Sequence, residues 1–279
     1  MKQIAIIGLG LIGGSLALAL RGFEDYEIVG VARSEDTLAI AKERGAADIL
    51  TKDAAAAIRQ ADVTILCLHP QGIVDFLKEH GADFQTGSLV TDVCGVKTAI
   101  MEAAEALPDT VDFIGGHPMA GRETSGMAHA EKTLFQGTHY LLTPREKSKP
   151  EHIALLRRMT DYLGCRDVVL TTPKQHDELI AYTSQVMHIM AAAVCDDPGL
   201  FSCRGFEGNS FRDCTRVAAL DVPLWTQLFS MNASALCGKI QRLEENLKSY
   251  RETLASGDRK RLSEKLEYSA NRKRQMNLD

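Results

Sequence analysis

No two cysteines in the sequence form a CxxC pair, and the seven present (Cys67, Cys94, Cys165, Cys195, Cys203, Cys214, Cys237) are scattered and odd in number. Such a set excludes a disulfide framework and predicts reduced thiols in a cytoplasmic protein, most of them small core residues. Histidine and cysteine nowhere fall at metal-ligand spacing, so no metal is expected. Basic charge is not in excess, since 32 Lys and Arg stand against 37 Asp and Glu for a net charge of −5. A nucleic-acid partner needs a basic footprint and is not expected. The apolar runs fall short of the roughly 20 residues that span a bilayer, so no membrane partner is expected either. The N-terminus carries no signal-peptide pattern, because Met1-Lys2-Gln3-Ile4 leads straight into a strand-like run. Repeats and low-complexity tracts are missing too. What remains is 279 residues, 45% hydrophobic and 25% charged. That is the make-up of a folded globular chain, long enough for two domains at about 150 residues each.

The first half alternates strands and helices. Lys2–Gly8, Glu27–Ala32, Val63–Leu68 and Ser88–Val93 read as strands, the first nearly continuous in apolar residues, as expected of a buried parallel strand, and the third and fourth buried too. Leu11–Leu20, Asp36–Arg44, Ile73–His80 and Thr98–Leu107 read as the helices between or after them, and Phe113–Gly115 and Thr138–Leu142 as shorter strands. This alternation predicts an α/β fold, a Rossmann-type doubly wound parallel sheet. A polar stretch, Pro144 to Pro150, precedes an amphipathic helix at Pro150–Leu163 and a last strand at Arg166–Thr171. Beyond it the chain turns all-helical, with long helices predicted at Pro173–Cys195, Leu224–Ser256 and Asp258–Met276. The expected division is therefore a dinucleotide-binding domain over 1–170 and a helical domain over 171–279.

Gly8-Leu9-Gly10-Leu11-Ile12-Gly13 matches G-x-G-x-x-G, follows a buried strand and opens a helix. Gly8 suits the tight turn, Gly10 the close approach of a pyrophosphate and Gly13 the packing of helix on strand. The amide groups at that helix start, Leu11 and Ile12 among them, suit an anion. Leu68, ending a neighbouring strand, joins them as a cofactor-binding candidate. The acid that holds the ribose of NAD about 20 residues on is missing: Ala32 stands there, followed by Arg33 and Ser34. A guanidinium and a hydroxyl suit a 2′-phosphate, so NADP is expected before NAD. The competing assignment leaves Arg33 solvated and gives the ribose to Glu35 or Asp36.

Gly115-Gly116-His117-Pro118-Met119-Ala120-Gly121 places one histidine in a glycine-rich loop after a strand. Such a loop lies at the carboxyl edge of the sheet, where open α/β folds bind ligands, and His117 becomes a general-base candidate.

Five segments, GLGLIGGSLA, TDVCGVKTAI, FIGGHPMAGRETSG, TPKQHDELIAYTSQVMH and FRDCTRVAALDVPLW, give the sequence its resemblance to the prephenate/arogenate dehydrogenases of tyrosine biosynthesis. They are spread from Met1 to about Trp225 in that family's order. The resemblance implies transfer of hydride from C4 of a cyclohexadienol ring to a nicotinamide, with loss of the C1 carboxylate as CO₂ and aromatisation of the ring. His117 matches the catalytic histidine. Arg216 matches the arginine that binds a substrate carboxylate, Ser184 and His188 match pocket-lining residues, and Glu123 matches an acid at the pocket mouth. The histidine at 188 points to prephenate as the ring substrate, with arogenate as the alternative. His176-Asp177 also fits the pattern, and capping of a helix start is the role expected of it. Two departures stand out: Gly95 occupies a position where many members carry a serine that contacts the histidine and the substrate hydroxyl, so that contact is missing or is supplied by water, Cys94 or Thr91, and Gln185 occupies one where many carry histidine.

The resemblance also implies a homodimer, and the apolar stripe Leu224, Leu228, Met231, Leu236, Ile240, Leu243, Leu247 is more than one small domain covers. The helical half is expected to be an all-α dimerisation domain. Neither an ACT regulatory domain nor a chorismate mutase segment is expected. The competing readings are another two-domain NADP-dependent dehydrogenase, of β-hydroxyacid or imine-reductase type, and a nucleotide-sensing module without catalysis.

Overall fold

The computed structural model describes residues 1–276. In chain order it contains β1 (Lys2–Ile7), α1 (Leu11–Leu20), β2 (Tyr26–Val31), α2 (Glu35–Glu43), β3 (Ile49–Thr51), α3 (Ala54–Gln60), β4 (Val63–Leu66), α4 (Pro70–His80), β5 (Leu89–Asp92), α5 (Thr98–Ala104), β6 (Asp112–Pro118), β7 (His139–Thr143), α6 (Pro150–Tyr162) and β8 (Asp167–Leu170). The helical part follows as α7 (Pro173–Ile180), α8 (Val186–Cys195), α9 (Asn209–Thr215), α10 (Val222–Met231), α11 (Ala233–Ala255) and α12 (Arg259–Met276). The chain falls into two compact units, Met1–Asn232 and Ala233–Asp279.

The eight strands form one sheet in the order β3-β2-β1-β4-β5-β6-β7-β8. All neighbours run parallel except β6 and β7, which are antiparallel, so the doubly wound sheet carries one reversed junction. Alternation along β1 divides the core between the two faces of the sheet. Ile4 and Ile6 pack with Leu16, Leu20 and Phe135 on one side. Ala5 and Ile7 pack with Ile58, Phe76 and Leu77 on the other. The strand order reverses on either side of β1, with β2 on one flank and β4 on the other, and the carboxyl ends there form the crevice in which such sheets bind ligands.

Three of the departures from the sequence reading bear on the site. β6 does not stop at Gly115. It runs on through His117, which pairs with Leu141 of β7, so the histidine is held in a strand and not in a loop. The long helix Pro173–Cys195 is interrupted by a π turn at Ala181–Gln185, the kind of bulge that concentrates at functional sites. By length and composition alone that 23-residue segment is apolar enough to cross a membrane, with a mean hydropathy of 1.2 over an 18-residue window. Within its compact unit Ile180, Ala181, Val186 and Ala191 are buried. Finally, the helix expected over Leu224–Ser256 breaks at Asn232, a buried residue whose amide donates to the Asp177 carbonyl at 2.9 Å and to Gln185 Oε1 at 2.8 Å.

In the second unit α11 and α12 are joined by hydrogen bonds from Lys265 Nζ to Ser249 Oγ (2.8 Å) and between the Tyr250 and Ser269 hydroxyls (3.1 Å). Leu247, Leu254 and Leu266 of that unit are exposed.

Candidate active site

The glycine turn between β1 and α1 is shaped by what a side chain would strike. Gly8 has φ +100°, and a Cβ there would lie 2.5 Å from the Cys67 carbonyl oxygen. A Cβ on Gly13 would collide with the Gly8 carbonyl oxygen, so the helix start can sit against the strand only with glycine at 13. A Cβ on Gly10 would meet nothing within 4 Å. That open space lies at the N-terminus of α1, where the first amide groups have no helical acceptor. Leu11, Ile12 and Leu68 are half-buried around the turn. This is a cradle that fits a dinucleotide pyrophosphate.

At the end of β2, Ala32 is buried, and Arg33 and Ser34 are exposed. Among the described residues Arg33 makes no hydrogen bond or ion pair. Ser34 caps α2 by accepting from the Thr37 amide at 3.4 Å. Glu35, one of the two acids that could take the ribose instead, is ion-paired with Lys52.

Three strand spacings of about 4.8 Å, about 14 Å in all, separate β1 from β6 in the same sheet. There His117 is fixed by a chain of hydrogen bonds. Its Nδ1 lies 2.8 Å from His176 Nε2, and His176 Nδ1 lies 2.8 Å from Asp177 Oδ1. Asp177 accepts in turn from the backbone amides of Lys97 (2.7 Å) and Thr98 (2.8 Å) at the start of α5. His176-Asp177 therefore does not cap its own helix, a task performed by Thr172. It caps a helix 79 residues away in sequence and supports the candidate base. Burial pushes the His117 imidazole well below the ordinary histidine value, His176 and Lys97 add to this, and Asp177 opposes it.

The other ring nitrogen, Nε2, lies 3.8 Å from the point a Cβ on Gly95 would occupy, which places the absent serine's position beside the candidate base. The same Cβ would stand 3.3 Å from Leu228 Cδ2, so an apolar side chain fills that ground. Cys94 does not replace the hydroxyl: it packs in the core, and burial pushes its thiol up to about 11. Gln185 is buried with both ends of its amide engaged, donating to the Leu228 carbonyl at 3.3 Å and accepting from Asn232 at 2.8 Å.

One turn before Leu228 on α10, Trp225 stacks on His188 at 3.7 Å between ring centroids. His188 Nδ1 donates to the Ser184 carbonyl in the π turn at 3.0 Å. Burial lowers the His188 pKa, the Ser184 carbonyl raises it, and the charges of Arg216 and Glu123 act on it in opposite directions. Those two side chains form an ion pair, so Arg216 is held by Glu123 and not by its near neighbour Asp213. The segment that carries Glu123 is stapled to the glycine-loop side of the domain. Arg44 donates to the carbonyls of Met127, Ala128 and Ala130 at 2.7, 3.1 and 2.6 Å, and Arg122 grips Glu131 bidentately. His117, Gly95, Leu228, Trp225, His188, Arg216 and Glu123 thus form one contiguous series within the first unit. His176 and Asp177 stand behind it.

Two family models match the chain. "Prephenate dehydrogenase, nucleotide-binding domain" covers residues 16–181, and "Prephenate dehydrogenase, dimerization domain" covers residues 172–268. The prephenate dehydrogenase of Lactococcus lactis is 32% identical over 277 residues, 96% of this chain and 74% of that protein. The crystal structure of Synechocystis arogenate dehydrogenase superposes with a TM-score of 0.84 at 31% identity, covering 99% of this chain and all of the other. That of prephenate dehydrogenase from A. aeolicus, in complex with hydroxyphenyl propionate and NAD+, gives a TM-score of 0.88 at 27% identity over 100% and 99% of the two chains. A nucleotide-binding sheet, a histidine at its carboxyl edge and matches that run nearly end to end agree: this chain belongs to the prephenate dehydrogenase family.

Proposed function

We propose that the protein is a prephenate dehydrogenase, converting prephenate to 4-hydroxyphenylpyruvate and CO₂ with NAD(P)+ as oxidant. The observation that carries this reading is the His117 imidazole, anchored through Nδ1 and free to act through Nε2 beside Gly95 and Leu228. Gly8, Gly10, Leu11, Ile12, Gly13 and Leu68 would hold NAD(P)+, which would supply the hydride acceptor. His117 takes the proton of the C4 hydroxyl. Aromatisation drives the loss of CO₂, so the protein's share of the work is orientation and proton removal. Arg216 binds a substrate carboxylate in place of Glu123, as a guanidinium does well. Ser184 and His188 line the side-chain end, and Leu228 and Trp225 exclude water. Residues 1–170 bind the dinucleotide. Residues 171–279 bind the ring and pair with a second copy, a pairing supported by the exposed Leu247, Leu254 and Leu266. A cytoplasmic location goes with this reading.

Arogenate as substrate has an observation of its own. With His188 Nδ1 donating to a carbonyl, its Nε2 is an acceptor in the neutral ring that burial favours, and an acceptor suits an ammonium better than a keto group. Purified protein assayed with prephenate and arogenate, each with NAD+ and NADP+, tests both readings by the rate of nicotinamide reduction. Turnover of neither ring substrate overturns them.

NADP is preferred over NAD in this reading, because Arg33 is unpaired among the described residues while Glu35 is neutralised by Lys52. Arg33→Ala is expected to raise KM for NADP+ about 10-fold or more, the worth of a charge-assisted hydrogen bond, with KM for NAD+ nearly unchanged. Equal changes for both cofactors exclude the role.

A further inference from the structure

Resting on the reading of His117 as base, we propose that His176 and Asp177 are positioning residues: together they hold His117 in the single tautomer that leaves Nε2 unprotonated, and the Asp177 carboxylate opposes the cost of the charge it gains. Asp177 sets the direction of the chain. Burial works to raise its carboxyl, and hydrogen bonds from His176 and from the Thr98 and Lys97 amides outweigh burial, leaving the group below its ordinary value and ionised. A carboxylate only accepts, so His176 Nδ1 carries the proton of the 2.8 Å bond. The neutral His176 ring then has a bare Nε2, which also only accepts. His117 Nδ1 must therefore be the donor across the second 2.8 Å contact. Both rings share one directional chain that ends on the amides opening α5.

The electrostatics agree. The buried groups behind the base are Lys97, paired with Asp92, and Asp177 with neutral His176. The set carries one net negative charge before reaction. A proton arriving on His117 Nε2 brings it to neutrality, and Nδ1–H then donates more strongly to His176, which leans on Asp177. In a low-dielectric surrounding such a partner supports the protonated form without itself moving. The His176–Asp177 pair also orients the ring in its plane, as the supporting carboxylate of a catalytic histidine does.

Two measurements test this. In a ¹⁵N spectrum of histidine-labelled protein, assigned with His117→Asn and His176→Gln, both His117 and His176 should show a protonated Nδ1 and a bare Nε2 at neutral pH. A protonated Nε2 on His117 overturns the proposal whatever the activity. In kinetics, His176→Leu removes the acceptor and should lower kcat about 10–100-fold with KM for the ring substrate little changed. His176→Gln can place a carbonyl oxygen near the Nε2 position and should restore part of the loss. In the His117→Asn background, His176→Leu should cost nothing further, because its effect runs through His117. The same factor in both backgrounds means a structural role only and overturns the proposal. Near-normal turnover by His117→Asn alone instead overturns the reading of His117 as base.

Discussion

His117→Asn should turn over its ring substrate about 10²–10⁴-fold more slowly than the parent protein, the usual worth of a positioned general base, with KM shifted only a few-fold. Asparagine keeps a polar group of similar reach: its amide can still donate to His176 from near the Nδ1 position, now 2.8 Å from His176 Nε2. What it lacks is a basic nitrogen where Nε2 faces Gly95 and Leu228. Binding survives because Arg216, Ser184 and His188 are untouched. The parent protein's pH profile supplies the companion result. Burial, His176 and Lys97 keep the imidazole neutral below the ordinary value of 6.5, and Asp177 only partly opposes them. Activity should therefore rise with pH through an apparent pKa under 6.5 and be flat across neutrality, since the base works only when unprotonated. Steady-state kcat/KM from acidic to neutral pH checks this. A limb lying above the ordinary histidine value, or a variant that keeps near-normal kcat, removes His117 from the role.

Much of the sheet was legible because its strands are buried on both faces and are rich in apolar residues, as residues 4–7 of β1 are throughout and Val63–Leu66 is but for Thr64. The glycine turn was legible because its spacing is dictated by collisions that any backbone of this shape suffers. β3 and α3 escaped notice: a three-residue strand has no periodicity to detect, and Ala54–Gln60 is mostly alanine, without an apolar stripe. The strand read as ending at Gly115 and giving way to a glycine-rich loop, yet Gly115 and Gly116 serve close packing within the sheet. A Cβ on Gly115 would strike the Thr143 hydroxyl, and one on Gly116 would lie 2.5 Å from the Asp92 carbonyl oxygen. Glycine marks a close approach as often as a turn, and composition alone does not separate the two. The support of His117 was hidden for a different reason. His176 is 59 residues from it and Asp177 is 80 from Lys97, so no local pattern links them. The signal on hand, a His-Asp pair three residues past a proline, suited a helix cap equally well.

A buried charge pair behind the site leads to the largest expected change in stability. Lys97 and Asp92 are both fully buried, with Nζ 2.5 Å from Oδ2. Asp92 also accepts from the Cys94 amide at 2.9 Å and from the Gly116 amide at 3.1 Å. Lys97→Met keeps the aliphatic stem and removes the cation. Asp92 is then a buried carboxylate with two amide donors and no counter-charge, and breaking such a pair on one side costs about 3–5 kcal/mol. At roughly 2–4 °C per kcal/mol for a domain of this size, the melting temperature should fall by about 10 °C. The double variant Lys97→Met/Asp92→Asn removes both charges and keeps an oxygen for one amide, so it should be more stable than the single variant, which no simple loss of packing would give. Rate and fold are tied at the same place, because the amide that Asp92 holds belongs to the residue before His117. If Asp92 fixes that stretch of β6, kcat should fall in the single variant well below its own melting range. Calorimetric melting of the three proteins, with kcat measured at a temperature where all are folded, decides it: a single variant within about 1 °C of the parent, or a double variant less stable than the single, would show that the pair does not hold this edge of the sheet.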